Sequence, residues 1–263
     1  MTEQYEYALN YDHPLLAELY DRTENYTDDL ELIRRLIADK GPLNILEPFS
    51  GTGRIIIPLA KDGHTVRGIE IAPSMNARAA VQVAFLKDEV AERISLRIAD
   101  AMKEKWGRGY DLVLLTCNCF YELPSAAMQE ECIRMASRAL KKGGHVYIDN
   151  NNYMGGWDDG PFGKELTILS GKNRRGMYGR ASMQHLGFDR KTNVLTIKRK
   201  WYVRGPDGEE ESEYIALKHP VTGAEVESWL VSHGFEILER FGDRKGGPYT
   251  EKSDRAIFWA RRK

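Results

Sequence analysis

Asn44-Ile45-Leu46-Glu47-Pro48-Phe49-Ser50-Gly51-Thr52-Gly53-Arg54 places a short apolar run ahead of a loop with two glycines. From Arg54 to Lys61 the apolar residues then recur at helical spacing. Strand, glycine loop and helix in that order put the loop at the carboxyl end of a strand, the edge where open α/β sheets bind ligands. Gly51 and Gly53 remove side chains where a ligand approaches the backbone, or allow a backbone angle closed to other residues. A dinucleotide fingerprint needs a further glycine three residues after Gly53, and Ile56 stands there. The Gly-Lys-Ser/Thr of a P-loop is also missing, so the ligand need not carry a pyrophosphate.

Outward from this loop the pattern repeats. Thr65–Glu70, Ile94–Ile98, Tyr110–Thr116 and His145–Asp149 read as strands. Pro73–Lys87, with Ser74 as its capping residue, and Ser125–Leu140, stopped by Lys141-Lys142-Gly143-Gly144, read as helices. Strands alternating with helices over 44–150 predict βαβ units and a mostly parallel sheet. Upstream, Leu15, Leu16, Leu19 and Tyr20, then Leu30, Leu32, Ile33, Leu36 and Ile37, predict helix over 12–40 with a polar break at 22–28. Gly41-Pro42 ends it. Downstream, 155–161 reads as loop. Short alternating stretches over 165–217, such as Val194–Val203 before the turn Gly205-Pro206-Asp207-Gly208, predict an antiparallel insert. Val221–His233 returns to helix, and 235–241 and 255–260 add two strands.

The chain has 263 residues, 42% of them apolar, and a formal net charge of -1. There is no basic excess of the kind phosphate neutralisation demands of a duplex binder, so no nucleic-acid partner is expected. No run approaches the roughly 18 apolar residues of a membrane span, and no membrane partner is expected. Cys117, Cys119 and Cys132 form an odd set without framework spacing, which predicts a reducing, cytoplasmic location. Without a nearby His pair they make no zinc site, and no metal is expected.

Glu70 lies 23 residues after Glu47, at the end of the second strand, where a carboxylate can accept from both hydroxyls of a ribose. Asp100 lies just past the third strand, in Ile98-Ala99-Asp100-Ala101-Met102, where it can accept from an adenine amine. Together these describe a nucleoside pocket without a phosphate clamp, which suits adenosine carrying a sulfonium amino acid. With Tyr110-Asp111-Leu112-Val113-Leu114-Leu115 and Leu140–Gly144, the pattern resembles the class I S-adenosylmethionine-dependent methyltransferases, strongly over 40–150 and loosely elsewhere. The resemblance implies an α/β fold with a Rossmann-like seven-stranded sheet and helices on both faces. It divides a single domain, 1–263, into a helical lid (1–40), a cofactor-binding core (41–150), an antiparallel acceptor-side insert (151–220) and a closing helix with two strands (221–263).

By that resemblance S-adenosylmethionine is the cofactor. Its implied contacts are Tyr20 of the lid (Tyr11 and Tyr26 belonging to the same segment), then Glu47, Phe49, Gly51, Gly53 and Arg54. Glu70, Ile71 and Met75 follow, then Asp100, Ala101 and Met102, and Thr116, Cys117 and Asn118 beside the sulfonium. The acceptor side is read from Ile148-Asp149-Asn150-Asn151-Asn152-Tyr153, which resembles a stretch of the glycine and sarcosine N-methyltransferases. It implies a small-molecule acceptor, an amine by that analogy, bordered by Asn152 and Tyr153. Tyr121, Tyr178 and Arg180 complete the candidate acceptor set. Arg199 and Arg204 are further candidates for a carboxylate partner, and Trp157, Trp201 and Tyr202 for aromatic cover. If a base is needed, Tyr121, Glu122, His185 and Tyr153 are the candidates. An RNA- or protein-directed methyltransferase and a non-catalytic S-adenosylmethionine-binding module are the alternatives. The oligomeric state stays open.

Overall fold

A computed structural model describes residues 12–155, 162–206 and 208–263. The helices are α1 (Pro14–Thr23), α2 (Asp28–Leu36), α3 (Ile56–Lys61), α4 (Pro73–Ala84), α5 (Asp88–Ala91), α6 (Ala126–Ala139) and α7 (Gly223–Ser232). The first five strands are β1 (Asn44–Glu47), β2 (Thr65–Glu70), β3 (Ile94–Ile98), β4 (Tyr110–Leu115) and β5 (Leu140–Asn151). Then come β6 (Glu165–Lys172), β7 (Tyr178–Asp189), β8 (Val194–Gly205), β9 (Gly208–Lys218), β10 (Phe235–Phe241) and β11 (Arg255–Arg262).

Seven strands form one sheet in the order β10-β11-β5-β4-β1-β2-β3. β1 to β5 run parallel, and β11 pairs antiparallel with both β5 and β10. Period-two alternation splits each strand between two cores. Ile45, Leu112, Leu114 and Ile257 pack under α2 and α3. Leu46, Val113, Leu115 and Phe258 pack under α6 and α7. The predicted α/β sheet with helices on both faces is therefore present. So is the antiparallel insert after β5, a meander in the order β6-β7-β8-β9.

Two details of the helices differ from the sequence reading. α3 begins at Ile56 rather than Arg54, because residues 48–55 are spent on the turns that bring the chain back over β2. Ser74 is not the cap of α4. Ala72 holds the N-cap position, and the Ser74 amide takes the Asp12 carboxylate at 3.2 Å. α6 and α7 do have side-chain caps, Ser125 on the Met128 amide and the Thr222–Glu225 capping box.

α1 lies between the two sheets. Leu15, Leu16 and Leu19 pack with Leu169, Ala181 and Val203 of the insert, while Ala17 and Tyr20 pack with Ala72 and Met75 near α4. A Cβ at Gly179 would sit 3.1 Å from both Leu15 and Leu19, so β7 approaches the helix with bare backbone. The packing brings the insert over the carboxyl edge of the main sheet.

Candidate active site

The parallel strands end along one edge, and a cleft opens there. Its walls are Tyr20 from α1, Pro48, Phe49 and Gly51 after β1, Glu70, Ile71, Ala72 and Met75 after β2, and Asp100 and Ala101 after β3. Cys117, Cys119, Glu122 and Leu123 close it from the loop after β4. A narrow extension, sharing Tyr20, Phe49, Gly51 and Cys117, reaches Glu47, Arg54 and Thr116.

Glu47 is the innermost acid, 2% exposed. Thr116 Oγ1 donates to its Oε1 at 2.5 Å, and its Oε2 has no partner. Burial pushes the carboxyl up to about 8, although the Thr116 hydrogen bond and the Arg54 guanidinium pull it down. A buried carboxylate oxygen without a donor costs free energy and marks a socket for one.

Glu70 serves the loop as well as the cleft. Its two oxygens accept from the Gly51 and Ala72 amides, both at 2.8 Å, which pins the glycine loop to the end of β2. Burial raises its pKa despite these amides and that of Ile71. Two residues earlier, a Cβ on Gly68 would lie 2.5 Å from Ser50 Oγ and 2.8 Å from Ile56 Cδ1. The loop thus rests directly on the backbone of β2. Gly51 has φ +54°, with Met75 Cε 3.6 Å from where its Cβ would be, so the backbone angle is what demands glycine. Gly53 has φ +81° and is also crowded by Ile57. Asp100 Oδ1 accepts from the Met102 amide at 2.9 Å, and Lys103 Nζ lies 3.2 Å from Oδ2.

Past β4 the backbone turns through two consecutive left-handed residues, Cys117 (φ 57°) and Asn118 (φ 61°). Residues other than glycine take this conformation at a cost, which surrounding contacts must offset. Asn118 Oδ1 accepts from the Asn151 amide at 2.7 Å and from Arg255 Nη2 at 3.0 Å. The Cys117 thiol lies 2.6 Å from Arg54 Nη2. Arg54 also grips the fully buried Asp29 at 2.5 and 3.0 Å and donates to the Tyr26 carbonyl. The Tyr26 ring is held between Arg54 and Arg244, 4.3 and 4.2 Å from its centroid. Arg244 and Arg255 both pair with buried Asp149 at the end of β5.

Of the residues expected to hold the cofactor, Gly53, Met102 and Asn118 do not line the cleft. Gly53 and Met102 shape the turns beneath it, and Asn118 faces β5 and β11. Cys119 and Leu123 were not singled out as cleft residues. Only their place after β4 pointed to them.

Glu122 sits where the cleft meets the insert. Arg199 Nη2 donates to its Oε2, and Lys218 Nζ to its Oε1 at 2.6 Å. Burial alone would raise its pKa, but the two cations hold it down at about 2, so it is a standing carboxylate and not a proton carrier at neutral pH. Lys218 also lies 4.5 Å over the Tyr121 ring. Burial lowers the pKa of His185, and Lys218 and Arg199 lower it further.

Four of the residues expected to bind the acceptor lie elsewhere. Tyr178 and Arg180 point away from α1, because Gly179 and Ala181 between them are the ones that face it. Arg180 pairs with Glu165 and Thr167, and Tyr178 packs near Tyr202. Arg204 pairs in register with Tyr178, and Trp201 packs on α1 near His13. Asn152 uses its amide to bind the carbonyls of Glu251 and Ser253, at 3.1 and 3.0 Å, and so holds the loop between β10 and β11. Tyr153 lies against the α6–α7 core, 6.3 Å from the Phe188 ring. Tyr121 is buried beside the cleft without lining it. In this stretch Asn150, 1% exposed, is the residue whose two amide atoms have no partner. Trp157 and Tyr11 lie outside the described residues. Among the described residues no set of three or more His, Cys, Asp or Glu could hold a metal ion, and no helix is long and apolar enough to cross a membrane.

A family described as a methyltransferase domain matches residues 49–146, which run from the glycine loop to the middle of β5. The fold is that of the methyltransferases. Among solved structures, the CcbJ methyltransferase from Streptomyces caelestis superposes with a TM-score of 0.73 at 19% identity, over 98% of this chain and 99% of that one. CalS10, an amino pentose methyltransferase from Micromonospora echinaspora solved with S-adenosylmethionine bound, gives 0.62 at 18% identity, covering 94% and 96% of the two chains. The sugar N-methyltransferase KedS8 from Streptoalloteichus sp. gives 0.68 at 19% identity, covering 92% and 90%. At these identities the likeness is one of fold. No curated protein sequence matches the chain significantly.

Proposed function

We propose that the protein transfers a methyl group from S-adenosylmethionine to a nitrogen of a small-molecule acceptor. The observation that carries this reading is one cleft that gathers an acid from each of three strand ends, Glu47, Glu70 and Asp100, the first with an orphaned buried oxygen. The donor set fits the cofactor. Glu47 Oε2 suits the ammonium of its methionine part, Glu70 has lone pairs left for ribose hydroxyls, and Asp100 for the adenine amine. Ile71, Met75 and Leu123 supply apolar surface. When bound, S-adenosylmethionine supplies a methyl group already activated on a sulfonium.

The chain's own task is then orientation and exclusion of water. Tyr20, on the helix we read as a lid, closes one side of the cleft, and the insert covers another. The acceptor enters between the loop after β4 and the inner face of the insert, where Glu122, held ionised, can bind an ammonium or a hydroxyl. An amine attacks with its own lone pair, so no permanent base is required. The glycine- and sarcosine-type reading of residues 148–153 contributes the amine, but Asn152 serves a loop, so the acceptor contacts we assign are on Glu122 and the insert. The amino-sugar and sugar-N activities of CalS10 and KedS8 point the same way. Three unpaired thiols suit a reducing compartment, and we place the protein in the cytoplasm.

The test is direct. Calorimetry should show S-adenosylhomocysteine binding and no comparable binding of NAD. Incubation with isotopically labelled methyl donor and a panel of amino sugars and other amines should give labelled N-methyl product by mass spectrometry. Equal affinity for NAD would refute the donor assignment. Transfer only to hydroxyl or macromolecular acceptors would refute the acceptor class.

A further inference from the structure

We infer that a second surface, on the outer side of α1, is a docking groove for an acidic, amphipathic segment of a partner protein. The groove, of about 1220 Å³, runs between α1, α4 and the turn joining β6 to β7. Tyr20 faces the methyl-donor cleft from the same helix and takes no part in the groove.

The lining of the groove is basic. Arg22 and Arg78 stand on one wall, and Lys172, Arg174 and Arg175 on the other. The acids among them are Glu18, which lines the groove, and Asp21, already bound to Arg78 at 2.6 Å. Burial lowers the pKa of His13, which also lines the groove, so it adds no charge at neutral pH. The lining thus holds five cations and one carboxylate, with Asp21 engaged by Arg78 and with Asp12 and Glu210 acting on His13, in a chain whose formal net charge is -1. Within a concave wall such an excess focuses the field and draws in anions.

The turn that carries the far wall is built, not loose. The Asn173 side chain accepts from the Arg175 and Met177 amides at 3.0 and 3.1 Å, and Gly176 takes the left-handed φ of +77° that closes the turn. Arg22 Nη1 donates to the Lys172 carbonyl at 2.7 Å and ties the turn to α1. Arg174 and Arg175 are thus displayed on a fixed frame while both side chains stay exposed and make no ion pair among the described residues. Arginine forks on a rigid frame suit carboxylates and phosphates.

The floor decides between classes of partner. Pro14 and Met177 give the groove an apolar strip, Leu15 being buried against the insert. A phosphate backbone gains nothing from such a strip. A helix with carboxylates flanking an apolar stripe matches walls and floor together.

The test uses the full chain and a fluorescein-labelled peptide of about 18 residues, with a leucine stripe flanked by glutamates. Saturable binding by anisotropy at low salt is expected, weakening about tenfold or more when salt is raised to several times that level. The double variant Arg174→Glu/Arg175→Glu should lose binding by the same factor. Its melting temperature and its affinity for S-adenosylhomocysteine should be unchanged, since the frame residue Asn173 and the donor cleft are untouched. Arg174→Gln/Arg175→Gln should give an intermediate loss. The proposal is overturned if the peptide does not bind or if charge reversal leaves its affinity within about twofold. It is also overturned if a peptide with glutamine at every glutamate binds equally well, or if single-stranded DNA of equal charge binds more tightly.

Discussion

Binding of the methyl donor should release a proton from Glu47. Without ligand, its carboxyl is pushed up to about 8 by burial. An ammonium placed against the unpartnered Oε2 stabilises the ionised form, so below pH 8 binding must expel the proton. At pH 6 about 1% of the carboxyl is ionised, and at pH 7.5 about a quarter. The ligand's ammonium keeps its proton over the same interval, because in a free amino acid the adjacent carboxylate holds it above the chain-terminal range of about 7.7–8.0. The gain in affinity from pH 6 to 7.5 is then about 25-fold, or about 1.9 kcal/mol. Titration calorimetry with S-adenosylhomocysteine, repeated in buffers of different ionisation heat, reads both the slope and the proton count, expected close to one at pH 7.

Glu47→Gln should bind more weakly at pH 8 and lose most of the rise. The same shift has an opposite sign for the free protein. A carboxyl whose folded pKa lies above its unfolded value contributes stability that is fully present below the unfolded pKa of about 4.3 and is lost as pH rises through the folded value. Cofactor-free Glu47→Gln should therefore melt above the parent at pH 8.5. Constant affinity from pH 6 to 7.5 with no proton release would refute the assignment of Glu47 to the ammonium.

Glu70→Ala should weaken S-adenosylhomocysteine by about 1–3 kcal/mol in calorimetry, since it removes hydrogen bonds to a charged group and frees the Gly51 amide. Gly68→Ala should cost about 1–3 kcal/mol of stability by overpacking against Ser50 and Ile56, seen in urea unfolding, and should lower donor affinity as the loop lifts. Arg54→Met leaves Asp29 buried without its cation and should cost about 3–5 kcal/mol in the same assay, much of it recovered by Arg54→Met with Asp29→Leu. Asn152→Ala should lower stability by about 1–3 kcal/mol through two unsatisfied carbonyls, while donor affinity stays within twofold.

The parts legible in the sequence were those encoded locally. β2 and β3 have the bounds read from apolar runs between turn signals, and Glu70 and Asp100 reach the cleft because strand ends follow from those bounds. The four-stranded insert was foreseeable from alternation, but alternation gives a period and not a sign. It could not say that Gly179 and Ala181, rather than Tyr178 and Arg180, face α1. The loop contacts of Asn152 are hidden for a related reason, because its partners Glu251 and Ser253 lie about a hundred residues away. The left-handed pair at Cys117 and Asn118 carries no glycine to announce it. The Glu122–Arg199–Lys218 contact joins three elements that no sequence spacing relates.

The clamp on Asn118 has a consequence for the order of folding. Its Arg255 partner lies 137 residues downstream, on a strand that must slot between β5 and β10. On the ribosome, β1 to β5 emerge first and can pair among themselves. The bend after β4 has its amide and carbonyl contacts to β5 then, but not the guanidinium that bridges Asn118 and Asp149. Loop closure over so long a span is slow compared with local pairing. Ligand competence should therefore lag behind secondary structure during refolding, as a late step in which docking of β11 sets the bend.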